Sequence, residues 1–135
     1  MSSHGIQWFP QYVSRQALAN TAAYGANLFR VAMYTGEGGY LSNPAQMKKT
    51  AYAAMDAAIA NDIYVIIDWH ILNDGNPNQH KSEAKKFFTK MSKKYGGQKN
   101  VIYEICNEPN GNVTWNKQIK PYAKTIVKTI RKHSK

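Results

Sequence analysis

Three short, almost continuously apolar segments constrain this chain more than any other feature: Asn27 to Met33 (NLFRVAM), Ile63 to Trp69 (IYVIIDW) and Val101 to Cys106 (VIYEIC). Each is rich in β-branched and aromatic residues, and none alternates as a strand with one wet face does. Unbroken apolarity predicts strands covered on both faces, as in a parallel sheet. Their starts lie 36 and 38 residues apart, enough for a crossover helix and a functional loop. Amphipathic helices are predicted from Ser14 to Tyr24, Pro44 to Asn61, Gln79 to Tyr95 and Thr114 to His133. Gly25 marks the end of the first, Asn43-Pro44 and Thr114 open the second and fourth, and Gly96-Gly97 closes the third. The pattern is α, βα, βα, βα, with the tail of an earlier strand at Met1 to Ser3. Such units make an open α/β sheet if they stand alone. An eight-unit barrel needs about 250 residues, so 135 residues supply around half of one.

The formal charge is +10, from 18 Lys and Arg against 8 Asp and Glu, which raises nucleic acid as a partner. The distribution argues against it. Lys81, Lys85, Lys86, Lys90, Lys93 and Lys94 recur at helical spacing, as do Lys117, Lys120, Lys124, Lys128, Arg131 and Lys135, with an apolar stripe interleaved in each stretch. These are the solvated faces of two helices, and no helix-turn-helix, RNA-binding or zinc-finger pattern accompanies them. One cysteine cannot form an internal disulfide. Apolar runs such as Ile63 to Ile67 fall well short of the roughly 20 residues of a membrane span, and the first residues show no secretion leader. A soluble chain is expected, with no nucleic-acid or membrane partner.

Polar residues that a core does not require collect where each strand ends: Arg30 and Tyr34, then Asp68 and His70, then Asn107 and Glu108. Parallel α/β proteins build their sites at this carboxyl edge. Taken singly, His70 reads as a structural histidine and Asn107 to Gly111 as a turn; three clusters at one edge read as a site.

The segments Ile102 to Gly111 (IYEICNEPNG), Val65 to His70 (VIIDWH), Phe29 to Tyr34 (FRVAMY) and Ser2 to Trp8 (SSHGIQW) resemble, in order, the signatures of endo-β-1,4-glucanases of glycoside hydrolase family 5. The resemblance covers essentially the whole chain. It implies an α/β fold, a partial (β/α)8 TIM barrel of about the first four βα units, with residues 1–135 as the amino-terminal half of the catalytic barrel. It also implies retaining hydrolysis of internal β-1,4-glucosidic bonds, a β-1,4-glucan partner, secretion, and neither metal nor cofactor. Glu108 is then the general acid/base and Asn107 its sugar-binding neighbour. Arg30 supports the carboxylates, and His4, Trp8, Tyr34 and His70 line the cleft.

Those residue types suit the task. Retention needs one carboxyl that enters protonated and a second, about 5 Å away, that attacks the anomeric carbon. Glu108 can be the first, Asn107 can bond a ring hydroxyl, and Trp8 offers a face on which a pyranose can stack. Trp69, at the end of an apolar strand, reads as core. The second carboxylate is missing. In the family it is a glutamate on the seventh strand, in a Glu-Trp-Gly context absent from this sequence. Glu37, Asp56, Asp62, Asp74 and Glu83 fall in helices or outer loops. Asp68 and Glu104 each precede a proposed site residue by two or four positions, which places them deeper on the same face as partners for Arg30. The chain is therefore expected to be an inactive amino-terminal fragment, completed by the missing carboxyl-terminal half of the barrel or by a second copy. The alternative is a non-catalytic, self-associating carbohydrate-binding half-barrel. Cys106 is expected to be a buried thiol without catalytic duty. Asp74-x-Asn76-x-Asn78 lacks the glycine and bidentate glutamate of a calcium loop, and Asn112-Val-Thr114 reads as an accidental sequon.

Overall fold

In the computed structural model, which describes residues 1–134, the apolar segments form a three-stranded parallel sheet in the order β1 (Leu28–Tyr34), β2 (Tyr64–His70), β3 (Val101–Glu104). Lys135, the last cation of the second basic stripe, lies outside the described residues. Strand bounds shift by one or two residues from the sequence reading, and the pairing sets Ala32 beside Asp68 and Asp68 beside Glu104. The earlier strand at the amino terminus is a single parallel bridge, Ser2 to Arg30, with Arg30 N donating to Met1 O and Ser3 N to Arg30 O.

The residues group into two compact units, Met1–His70 with Asn100–Glu104, and Ile71–Lys99 with Ile105–Lys135. The first holds the sheet with α1 (Arg15–Ala23), α2 (Pro44–Ala60) and a short 3-10 helix, Pro10–Val13, that the sequence reading leaves out. Ser14 and Asn43 cap the two α-helices by accepting from Ala17 N and Gln46 N, and Pro44 starts α2 where a missing N–H costs nothing. Gly25, at φ +88°, takes the left-handed turn that ends α1. Along α2 the buried positions Met47, Ala51, Ala54, Met55 and Ala58 recur at helical period, and the small alanines among them let the helix lie against β1, β2 and α1. On one face of the sheet Phe29, Val31 and Met33 are buried with Val65, Ile67 and Trp69, while Val101 and Tyr103 of β3 are half-buried. Strand alternation gives the other face to Arg30, Ala32 and Tyr34, to Tyr64, Ile66, Asp68 and His70, and to Ile102 and Glu104. There Tyr64 is 53% exposed and Ile102 44%.

The second unit is built on α3 (Lys81–Tyr95) and α4 (Lys120–Ile130). Phe87, Phe88 and Met91 of α3 and Tyr122, Ile126 and Ile130 of α4 are buried. The predicted single helix from Thr114 is instead a wide π turn, Trp115–Ile119, running into α4. Pro121 has no N–H to give the Lys117 carbonyl, and the preceding bonds lengthen to i−5, Ile119 N to Thr114 O and Lys120 N to Trp115 O. Gly96 is helical in conformation rather than left-handed. It is glycine because a Cβ there meets the His133 carbonyl. The Tyr122 hydroxyl donates to Ile105 O at 2.6 Å. Two asparagines tie the loops together: Asn110 Nδ2 donates to Leu72 O and Asn78 Nδ2 to Gln118 O. Among the described residues no helix is long and apolar enough to cross a membrane.

Candidate active site

The first unit carries a charged cluster on the open face of its sheet. Arg30 grips Glu104 with two parallel bonds, Nε to Oε2 at 2.6 Å and Nη2 to Oε1 at 2.7 Å. Its Nη2 also meets Asp68 Oδ2 at 2.9 Å. The register explains the reach. Arg30 lies one layer below the row Ala32, Asp68, Glu104, and the methyl of Ala32 leaves that row open to the guanidinium. This is the role expected for both acids. Asp68 is 0% exposed and shares its Oδ2 with His70 Nδ1 at 2.5 Å. Burial drives its carboxyl above the usual range, opposed by the bond to His70 and the charge of Arg30. The guanidinium is held above its ordinary pKa, first by its bond to Glu104. An ionised Asp68 accepts a hydrogen bond from His70 Nδ1–H, the arrangement that favours the proton on Nδ1 over Nε2.

One layer further toward the carboxyl edge, Tyr34 and His70 are neighbours in register and stack with centroids 4.0 Å apart. Trp8 extends the row, its ring 5.0 Å from Tyr34 and 45% exposed. A loop folds back over this corner, with Tyr40 N donating to Tyr34 O and Thr35 N to His70 O. Gly39 sits where a Cβ collides with the Tyr34 carbonyl, so glycine lets the loop close. Tyr40 packs edge-on against Trp69, which is core as expected. His4 stands 6.1 Å from Phe9 and lines a hollow of about 390 Å³ with Met1, Ser3 and Tyr12.

Asn107 and Glu108 belong to the second unit. Asn107 is buried and donates to Ile71 O at 3.0 Å. Glu108 is exposed, with φ +22°, a backbone setting that non-glycine residues avoid and that concentrates at functional positions. Its carbonyl accepts from Asn110 Nδ2 at 2.9 Å. Cys106 is half-buried rather than buried, and Trp115 is 60% exposed. Asp74 and Asn76 spend their side-chain oxygens on Leu72 N and Asn78 N. Among the described residues no cluster of three His, Cys, Asp or Glu could hold a metal.

The structure thus brings Trp8, Tyr34 and His70 into one row, with Asp68 and Glu104 below it and Arg30 a layer deeper, holding both acids. The link the sequence reading missed is Asp68 to His70. Their spacing of two on a strand puts both side chains on one face, which is the signal that identifies the pair.

Comparison with known proteins bears on the family and the fold. The family model described as cellulase (glycosyl hydrolase family 5) matches residues 1–135. An endoglucanase of Clostridium saccharobutylicum is 51% identical over 132 residues, covering 97% of this chain and 30% of the relative. Endoglucanase N of Pectobacterium atrosepticum is 52% identical, with the same coverage. The catalytic domain of an endoglucanase from Thermobifida fusca superposes with a TM-score of 0.94 at 40% identity, over 99% of this chain and 44% of that one; a variant of that domain has been solved with cellotetraose. The chain therefore spans under a third of these curated relatives and under half of the solved domain. Its parallel strands and helices are those of a partial α/β barrel.

Proposed function

Because the chain belongs to the cellulases of glycosyl hydrolase family 5, we propose that it contributes the proton-transferring side of an endo-β-1,4-glucanase that cleaves internal bonds with retention. The arginine clamp supports this most directly: three strands hold one guanidinium against two carboxylates beneath a row of stacking rings, at the edge where barrel enzymes work. In this reading Glu108 protonates the leaving oxygen and later activates water, a contribution of about 10²–10⁴ in rate. Asn107 bonds a ring hydroxyl, Arg30 organises the carboxylates, and His4, Trp8, Tyr34 and His70 line the cleft. The substrate is β-1,4-glucan, an insoluble polymer, so the enzyme works outside the cell.

The same clamp supports the second half of the proposal. Asp68 and Glu104 are committed to Arg30, and Asp74 is committed to a backbone N–H. No acid of this chain is left in the role of nucleophile opposite Glu108, so that group comes from residues outside these 135, in the carboxyl-terminal half of a barrel or in a partner. The test is reducing-sugar release from carboxymethylcellulose. The chain alone is expected to be inactive. Joined to the remaining part of a homologous catalytic domain it is expected to turn over, and Glu108→Gln to abolish that turnover. Robust hydrolysis by the 135 residues alone refutes the missing nucleophile.

A second reading, a non-catalytic half-barrel that associates with itself, draws on the exposed Tyr64 and Ile102 of the open sheet face. Sedimentation decides it, because a monomer at micromolar concentration is incompatible with it.

A further inference from the structure

The charge of this chain is not spread over it. Fourteen of the 18 Lys and Arg, but only three of the 8 acids, lie in the second unit. That unit therefore carries a formal +11 and the first unit −1. Within it the densest feature is the outer side of α3. Ser82, Lys85, Lys86, Thr89, Lys90 and Lys93 line an open furrow of about 470 Å³. They recur at spacings of three and four, opposite the buried Ala84, Phe87, Phe88 and Met91, so they form one stripe some 16 Å long. None of these four lysines pairs with a carboxylate among the described residues.

The geometry points to this furrow as a docking surface for an acidic polysaccharide, a chain bearing uronate carboxylates, made of residues other than those proposed for the glucan cleft. The furrow offers four ammonium groups and two hydroxyls. Lysine is a compact, strongly hydrated charge without the planar fork that arginine brings to phosphates and guanine, and the furrow holds no arginine. It holds no aromatic ring either, and single-stranded nucleic acid is gripped by stacking on such rings. A membrane-surface helix must bury its apolar side in the lipid boundary, whereas the apolar side of α3 is already buried in the protein. Thr89 Oγ1 donates to Lys85 O at 2.7 Å, which turns its lone pairs outward to accept from a sugar hydroxyl. A hydrated polymer with a carboxylate and hydroxyls on every ring matches these groups. The inference does not depend on the glucanase reading, because the binding is measured without turnover.

The test is titration of the full chain with sodium polygalacturonate, followed by calorimetry at low ionic strength and at about 0.3 M salt. The wild type is expected to bind, to lose affinity steeply with salt, and to ignore the fully methyl-esterified polymer. Lys85→Gln, Lys86→Gln, Lys90→Gln and Lys93→Gln together are expected to weaken binding by about tenfold or more. The same four changes to arginine, which keep the charge, are expected to preserve binding and show that the helix tolerates substitution. A matched variant in and just after α4, with Lys120, Lys124, Lys128 and Lys132 each changed to Gln, removes equal charge and is expected to cost less than about twofold. An equal loss from the α4 variant overturns the proposal, since net charge alone then explains binding. So does equal or tighter binding to single-stranded DNA or to vesicles containing phosphatidylserine, binding of the esterified polymer, or absence of binding to polygalacturonate.

Discussion

Replacing Arg30 with methionine separates the energetic role of the clamp from its chemistry. Methionine fills much of the same space but leaves Asp68, which is 0% exposed, without its cation. Stranding one member of a buried ion pair costs about 3–5 kcal/mol. The Glu104 side chain is 30% exposed, so its arm adds under about 1 kcal/mol after solvent screening. His70 remains on Asp68, which keeps the expected loss near the lower bound, about 3 kcal/mol at neutral pH. The cost must also depend on pH. Burial already holds Asp68 above its ordinary value of 3.8, and removing the opposing charge raises it further. A carboxyl raised on folding favours the folded state fully below its unfolded pKa and loses that contribution as pH climbs through its folded pKa. The penalty of Arg30→Met is therefore smallest below about pH 3.8 and grows to its full size toward neutrality. Urea unfolding followed by the fluorescence of the buried Trp69, across a pH series, measures it. Adding Asp68→Asn is expected to recover at least about 1.5 kcal/mol at neutral pH by removing the stranded charge. A penalty under about 1 kcal/mol, or one that stays flat with pH, refutes the reasoning.

Four other outcomes can be checked. Trp8→Ala removes a half-exposed stacking face, and calorimetry is expected to show cello-oligosaccharide binding weakened about tenfold in the completed barrel, with stability changed by under about 0.5 kcal/mol. Tyr122→Phe deletes a buried donor at 2.6 Å from Ile105 O and is expected to cost about 1–3 kcal/mol in urea melts. Gly96→Val drives side-chain atoms into the His133 carbonyl, and a loss of about 2 kcal/mol or more, seen as faster amide exchange at the end of α4, is expected. Asn43→Ala removes the cap on α2 and is expected to lower stability by about 1 kcal/mol in thermal unfolding.

The strands were legible in the sequence because short runs rich in β-branched and aromatic residues recur between helical patterns, although the expected cover on both faces is absent at the exposed Tyr64 and Ile102. The caps at Asn43 and Thr114 were legible because their side chains do a local job. The clamp was legible for a related reason: residues two apart on a strand share a face, and Arg30 is the nearest cation for Asp68 and Glu104. What escaped reading was set by contacts far along the chain. Gly96 looks like a helix terminator and is a packing glycine, because the carbonyl it makes room for arrives 37 residues later. The π turn before α4 follows from a proline inside an otherwise helical pattern, which the periodicity masked. The 3-10 helix at Pro10–Val13 is too short to show any period. The even spacing of lysines on α3 and α4 revealed helices correctly, but not that one unit holds nearly all the excess charge, since the division of the chain is not a sequence property.

The clamp also has a consequence for how the sheet assembles. Arg30 and Glu104 are 74 residues apart, and loop closure over such a distance comes late. The guanidinium can therefore close both arms of the clamp only after all three strands have paired. A one-residue slip of β2 or β3 turns Asp68 or Glu104 to the opposite side and takes one of its two carboxylates from the arginine. The ion cluster works as a proofreader, rewarding only the alignment that also sets His70 against Tyr34.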